Sequence, residues 1–301
     1  MIHLDEADVR RLLKMEDLIP AMEKALAGYS AGRVVQPVRQ VIPVESHRGF
    51  FGLMPALADG LGVKLVSFYP ENAGAPTHQA IVALFRPEDG TPQAVMDGRL
   101  ITEMRTAAVS AAATKHLASP DATVLGILGS GVQARSHVAA LRLVRPFDEI
   151  RVWSRTERNA HRFAEEVGAR VTTAEDAVRG ADVVVAVTST KSAVLKGAWL
   201  KEGAHVNSVG ANRPDWRELD DDVMRHVLFV DSRAGALQES GDVILSGANI
   251  HAELGEVFAG TKPPRAEETT VFKSLGVAIE DVVAAQLVYE AYLAERGSSP
   301  D

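Results

Sequence analysis

An apolar run, Ala122–Leu128, breaks abruptly into Gly129-Ser130-Gly131-Val132-Gln133-Ala134 and then into a helical pattern. This strand–turn–helix order is the context that a dinucleotide-binding fingerprint requires. Gly129 permits the tight turn, and Gly131 lets the backbone approach a pyrophosphate. Ala134 replaces the third glycine and still allows close helix–strand packing. The unpaired N–H groups at the helix start, at Val132 and Gln133, then serve the pyrophosphate. A second strand, Glu149–Val152, follows at the distance the fingerprint demands and leads into Ser154-Arg155-Thr156. A cofactor without a 2′-phosphate usually meets Asp or Glu here, about 20 residues beyond the glycines. A guanidinium and two hydroxyls instead suit a phosphate that a carboxylate would repel. The pattern predicts NADPH, with NADH possible; the competing reading of Arg155 is a solvated loop cation.

Strict strand–helix alternation surrounds this motif. The strands are Ala122–Leu128, Glu149–Val152, Asp182–Val187, Ala204–Val209 and His226–Val230, with helical patterns at Val132–Leu143, Glu157–Val167 and Glu175–Arg179. Such alternation implies a parallel sheet with crossover helices. The region before it is different. Asp5 can cap a helix over Glu6–Leu13, and Leu18, Met22, Ala25, Leu26 and Tyr29 recur at helical spacing. Strand-like runs follow at Val38–Val44, Gly49–Met54, Gly62–Phe68 and His78–Phe85, and a turn at 87–90 joins the last to Gln93–Met96. A helix over about Leu100–Leu117 then leads to Ser119-Pro120-Asp121, read as a domain boundary. Near the end, Val277–Leu293 reads as a helix returning to the first region, and the tail Gly297–Asp301 reads as frayed. The expected fold class is α/β. A Rossmann-type doubly wound parallel sheet domain spans 120–270. A smaller, discontinuous α+β domain for substrate binding and dimerisation spans 1–119 plus 271–301.

Composition excludes several classes. A chain of 301 residues can hold two cored domains. The net charge of −8 argues against nucleic-acid or anionic-membrane partners. There is no cysteine, which removes disulfides, thiolate nucleophiles and thiolate metal sites. The histidines lack metal-ligand spacing, so no metal is expected, and there is no nucleophile-elbow motif for a hydrolase. The N-terminus lacks the basic start and apolar stretch of a signal peptide, and no run is long enough to span a bilayer. A cytoplasmic protein is expected.

The first region carries three cations in unusual places. Arg39 sits in the strand-like QPVRQVIPV, Lys64 in GVKLVSF, and Arg105 in the first turn or two of an alanine-rich helix. Charges in apolar strands are costly unless paired or facing a cavity. The three either converge on a carboxylate or stand as independent ion-pair cations; spacing alone does not choose. Thr77-His78, at the start of a strand expected to be buried, can reach a nicotinamide, although a lone histidine there is more often structural. Thr188-Ser189-Thr190 and Asn207–Asn212 follow parallel strands at their carboxyl ends, where open α/β sheets bind ligands. Ordinary turn chemistry is the alternative for both.

Several long segments resemble the ornithine cyclodeaminase/mu-crystallin family: VGANRPDWRELDDDVM, VDSRAGALQESGDVILSGANIHAELGEV and TTVFKSLGVAIEDVVAA. GFFGLMPAL, VKLVSFY, PTHQAIVALF, AVMDG, RTAAVSA and GILGSGVQARSH extend the likeness over nearly the whole chain, most of all to the mu-crystallin branch of NADPH-dependent ketimine reductases. The resemblance implies that Arg39, Lys64 and Arg105 surround a substrate carboxylate, with Arg105 also near the cofactor. It implies that Thr77, His78, Gly131, Val132, Gln133, Ser154, Arg155, Thr156 and Val209 touch NADPH. Ser274 would fall near the nicotinamide and Glu239 at the ligand pocket. A homodimer formed by the smaller sheet domain is also implied.

One departure bears on the chemistry. Ornithine cyclodeaminases carry a catalytic aspartate where this chain has Asn212, in Gly210-Ala211-Asn212. An amide cannot act as a base near neutral pH. The expected activity is therefore reduction of a cyclic 2-carboxy imine, pyrroline-2-carboxylate or piperideine-2-carboxylate, to proline or pipecolate. Lys64 is the first candidate to keep the imine protonated and Glu239 the second. The alternatives are cyclodeamination, another amino-acid or opine-type dehydrogenase, and a binding or structural role, since mu-crystallin-like proteins also bind thyroid hormone and serve in the lens.

Overall fold

The computed structural model describes residues 1–297, and the expected fraying of the tail beyond Gly297 lies outside them. Two compact units divide the chain, Met1–Arg105 with the segment from Gly276, and Thr106–Leu275. The boundaries thus fall at 105/106 and 275/276 rather than at 119/120 and 270/271. The physical reason for the second shift is a strand, Thr270–Lys273, whose residues are fully buried inside the sheet of the second unit.

The first unit opens with β1 (Ile2–Leu4), α1 (Glu6–Leu12) and α2 (Met15–Ser30). Asp5 caps α1 as expected, exchanging hydrogen bonds with Asp8 in a capping box. The strands β2 (Gln40–Val44), β3 (Gly49–Leu57), β4 (Leu61–Phe68), β5 (His78–Phe85) and β6 (Pro92–Asp97) follow, then α3 (Gly98–Leu117). They form a six-stranded sheet in the order β1-β6-β5-β4-β3-β2, with β1 parallel to β6 and the rest antiparallel. The β1 segment is too short to show strand periodicity, which is why sequence pattern does not find it.

Alternation along these strands separates two faces. Met54, Lys64, Val82 and Met96 lie in one buried row, and the closing helix of this unit packs over β3, β4 and β5. The opposite face carries Leu53, Leu65 and Ile81 in one register row and Pro55, Val63, Ala83 and Val95 in the next. Ile81 is 45% exposed and Ile42, on the edge strand, 54%.

The second unit runs β7 (Val124–Leu128), α4 (Val132–Leu141), β8 (Glu149–Trp153), α5 (Glu157–Val167), β9 (Arg170–Val171), α6 (Ala174–Val178), β10 (Val183–Ala186) and β11 (His205–Ser208). It continues through α7 (Asp221–Met224), β12 (Val227–Val230), α8 (Arg233–Glu239), α9 (Gly241–Ser246), β13 (Ile250–Glu253), α10 (Leu254–Phe258) and β14 (Thr270–Lys273). The eight-stranded sheet has the order β13-β12-β14-β11-β10-β7-β8-β9, and every paired neighbour is parallel. Strand order reverses beside β7, between β8 on one side and β10 on the other, which is the switch point of a doubly wound fold. Val183, Val184, Val185 and Ala186 are all buried, as a central parallel strand covered on both faces must be.

After Leu275 the chain leaves the second unit, and α11 (Ala278–Glu295) packs in the first, against α2 and the sheet. This is the helical return expected from the sequence. No helix among the described residues is long and apolar enough to cross a membrane.

Candidate active site

In the first unit Lys64, Arg105 and Arg39 come together around the start of α11. Lys64 lies on the buried face of β4, only 2% exposed, because strand alternation places it level with Met54 and Val82 beneath that helix. Its Nζ is 2.7 Å from Oδ2 of Asp281. The Nε of Arg105 donates to Oδ1 of the same carboxylate at 3.1 Å, and its Nη1 donates to Oε2 of Glu280 at 2.6 Å. Asp281 and Glu280 are both fully buried. Arg39 Nη2 donates to the carbonyl of Gly276 at 2.8 Å. Gly276 has φ +77, and a Cβ there would fall 2.2 Å from Arg105 Nη1, so only glycine leaves room for the guanidinium.

Three details differ from the sequence reading. Arg39 is half-buried just before β2 rather than inside a strand. Its position follows from the bond to Gly276, not from strand burial. Arg105 lies beyond the second turn of α3, because the helix starts at Gly98. Thr77 and His78, on the same unit, are exposed at the head of β5, so this strand is not buried at its start. Their side chains lie 3.3 Å apart, and the His78 ring stacks on its cross-strand neighbour Phe68 at 4.3 Å between centroids.

The charges follow from burial. Desolvation pushes the Lys64 ammonium down to about 8, with Asp281 opposing the fall and Arg105 and Arg39 adding to it. Burial pushes the Asp281 carboxyl up, but Arg105 and Lys64 hold it below the usual range. Three cations and two carboxylates thus lie close together here.

The second unit brings the other candidates to the carboxyl ends of its parallel strands. Gly129, after β7, has φ +123, and its N–H donates to the carbonyl of Trp153 at 2.8 Å. Gly131 caps α4 with no side-chain hydrogen bond, and a Cβ on it would meet nothing within 4 Å. The N–H groups of the first turn, at Val132 and Gln133, therefore have no intrahelical acceptor. Oε1 of Gln133 is buried without a hydrogen-bond partner. An open cradle and free helix donors fit the pyrophosphate of a dinucleotide. Arg135 Nη1 holds the loop through the carbonyl of Ser130 at 2.9 Å.

At the end of β8, Ser154 accepts from Ser130 Oγ at 2.8 Å, while Arg155 and Thr156 are exposed. Thr188 and Ser189 follow β10, Val209 follows β11 with its N–H donating to Ala186 O at 2.9 Å, and the N–H of Ser274 donates to Ser208 O at 2.9 Å. Asn212 is exposed in the loop after β11, and Glu239 is half-buried at the last residue of α8. No group of three or more His, Cys, Asp or Glu among the described residues is placed to hold a metal ion.

Sequence reasoning missed Asp281 and Glu280. An acidic pair in the first turn of a helix reads as a partner for the helix dipole, and only the packing of α11 on β4 shows both side chains buried against cations. A faint signal existed: Lys64 in an apolar strand needs a counter-charge, and the nearest unassigned acids sit in a segment already expected to return to this region.

The model of the ornithine cyclodeaminase/mu-crystallin family matches residues 1–296. The ketimine reductase mu-crystallin of Macropus fuliginosus is 54% identical over 303 residues, covering 96% of each chain. Among solved structures, the Delta(1)-pyrroline-2-carboxylate reductase of Thermococcus litoralis, in complex with NADH and L-proline, superposes with a TM-score of 0.94 at 39% identity over 100% of both chains. An archaeal alanine dehydrogenase dimer with bound NAD gives 0.93 at 34% identity, covering 99% of this chain and 98% of that one.

The shared carboxylate makes a direct test possible. Asp281→Asn leaves a buried ammonium and guanidinium short of a counter-charge and is expected to cost about 3–5 kcal/mol at neutral pH. Lys64→Met in the same chain removes one uncompensated charge. The double variant should therefore lose clearly less than the sum of the two single losses in urea unfolding. Strict additivity would mean that the pair is not coupled.

Proposed function

The chain belongs to the ornithine cyclodeaminase/mu-crystallin family, and from that premise we propose that it reduces cyclic 2-carboxy imines to the corresponding cyclic amino acids with NADPH. Pyrroline-2-carboxylate would give proline, and piperideine-2-carboxylate would give pipecolate. The observation that carries this reading is the meeting of buried Lys64 and Arg105, held by Asp281 and Glu280, with half-buried Arg39, held by the Gly276 carbonyl. Three cations in one place suit a ligand that carries a carboxylate, which a guanidinium can bind through two parallel hydrogen bonds.

When bound, the dihydronicotinamide supplies the hydride that adds to the imine carbon. The chain's own residues supply position and charge. Arg39 and Arg105 hold the substrate carboxylate. Lys64 Nζ, already oriented by Asp281, donates a hydrogen bond to the substrate and favours the protonated imine nitrogen. An ammonium near 8 is close to working pH, where proton donation is effective. Glu239 is the second candidate for this task. Asn212 is neutral and cannot serve as the base that cyclodeamination needs, which favours net reduction.

The dinucleotide is assigned to the second unit, where Gly129, Gly131, Val132 and Gln133 hold the pyrophosphate, and Ser154, Arg155 and Thr156 the 2′-phosphate. Thr188, Ser189, Val209 and Ser274 are assigned to the nicotinamide side within this unit; Thr77, His78 and Arg105 are the first unit's own cofactor candidates. The preference for NADPH rests on the absence of an acid among Ser154-Arg155-Thr156, although the two solved neighbours are recorded with NADH and NAD. A cytoplasmic location is read from the cysteine-free composition. The apolar rows Leu53, Leu65, Ile81 and Pro55, Val63, Ala83, Val95 are read as the seat of a second copy in a homodimer, a two-fold pairing being the commonest closed assembly.

The reading is tested by following cofactor absorbance across a panel of cyclic imines and of 2-oxo acids with amines. Turnover of pyrroline-2-carboxylate and piperideine-2-carboxylate is expected, falling as pH rises through about 8, where Lys64 loses its proton. Lys64→Met should be slow at every pH and should lose that alkaline limb. Turnover confined to 2-oxo acids, or proline formed from ornithine, would replace the imine reading. Arg155→Ala should weaken NADPH by about 1–3 kcal/mol and leave NADH nearly unchanged; equal losses would remove the phosphate role. Light scattering should report twice the chain mass, and a fully active monomer would refute the dimer.

A further inference from the structure

The second unit contains an ionic group that the proposed chemistry does not use. Glu218, Asp242 and Lys273 are all fully buried. Glu218 Oε1 accepts from both the N–H and the Oγ1 of Thr188, each at 2.6 Å. Its Oε2 accepts from the N–H of Gly210 at 2.8 Å and from Ser208 Oγ at 3.2 Å. Lys273 Nζ donates to Ser208 Oγ at 3.2 Å and pairs with Asp242 Oδ2 at 3.0 Å. Asp242 Oδ1 accepts from the N–H groups of Glu218 and Leu219 at 2.8 and 3.0 Å, fixing the backbone that carries the first carboxylate.

The placement gives the group its meaning. Ala186, Ser208 and Lys273 are the last residues of three adjacent parallel strands, β10, β11 and β14, and pair in register across them. Thr188 and Gly210 begin the loops that leave the first two. One carboxylate therefore ties together two loops at the carboxyl edge of the sheet, beside the switch point where such sheets bind ligands. The space is closed: a Cβ on Gly210 would lie 2.2 Å from Thr188 O and 2.5 Å from Glu218 Oε1. Burial pushes the Glu218 carboxyl up, and Lys273 and the Thr188 donors oppose it.

We infer that Glu218, braced by Asp242 and Lys273, is a positioning residue that sets the loops at Thr188 and Gly210–Asn212 for the nicotinamide half of the dinucleotide. The inference rests on the reading of the second unit as the cofactor holder. Glu218 touches neither cofactor nor substrate in this role; it acts through the backbone N–H groups and hydroxyls it holds. An amide at 218 has only one acceptor oxygen, so either Thr188 N–H or Gly210 N–H loses its partner and its loop shifts. The adenosine half, assigned to Ser154-Arg155-Thr156 on the far side of β7, is not held by this group.

Calorimetric titration separates positioning from general damage, because each variant is titrated with the intact dinucleotide and with its adenosine half. Glu218→Gln is expected to weaken NADPH roughly tenfold while 2′,5′-ADP binds as in the unaltered protein. Ser208→Ala removes one of the four donors and should shift the same ratio in the same direction by less. It decides the matter if Glu218→Gln does not fold. Should the protein prefer NADH, the same ratio is read with NADH and 5′-ADP. Equal weakening of dinucleotide and adenosine half, or no weakening of either, overturns the inference without touching the imine reading. An unaltered protein that binds neither dinucleotide overturns the cofactor assignment and this inference with it.

Discussion

Lys64 is an ammonium group with almost no water around it, and such a group persists only beside a counter-charge. Asp281 provides that charge at 2.7 Å and uses its other oxygen to hold Arg105. Much of the first unit's architecture serves this contact. The alternation of β4 turns Lys64 to the covered face, α11 returns from the end of the chain to lay its first turn over the sheet, and Gly276 removes a side chain where the guanidinium lies. The result is a cluster in which neighbouring carboxylates fix the direction of Lys64 and Arg105. On the proposed reading, a carboxylate ligand would meet donors that are already oriented, so little ordering would be required on binding.

The second unit uses the same physics for a different end. Glu218 has its two oxygens filled by four donors, and the ammonium of Lys273 is shared between Asp242 and Ser208. In the first unit the buried carboxylates share their partners with one another, Asp281 holding Lys64 and Arg105 and Glu280 holding Arg105. In the second the Glu218 carboxylate is filled by donors of the chain itself. Saturation suits a brace, because a fully satisfied buried polar network rigidifies the segments it joins.

The parallel sheet, its glycine turn and the order of its early strands were legible because each carries a strong local signal. Apolar runs such as Val183–Ala186 demand burial on both faces, and Gly129 and Gly131 mark where the chain must turn and remain bare. The strand Thr270–Lys273 was not legible as part of that sheet. It is four residues long, follows a loop, and ends in a lysine that reads as a surface residue until its partners are known. Arg39, Lys64 and Arg105 were singled out as cations in unusual places, but spacing left open whether they meet. Burial by α11 answers that question and supplies the two carboxylates that pattern could not find.

Sequence alone determined the class of fold, the dinucleotide turn and the lack of an ionisable base at Asn212, since these depend on residue type and near-neighbour order. Tertiary structure decided which charges share a site. Asp281 meets Lys64 across more than two hundred residues of chain, and Glu218 meets Thr188, Ser208 and Gly210 only where β10 and β11 run side by side. Such pairings depend on the desolvation that packing imposes. Local sequence carries no record of that, because the same Asp or Glu on an exposed helix turn would be an ordinary solvated charge.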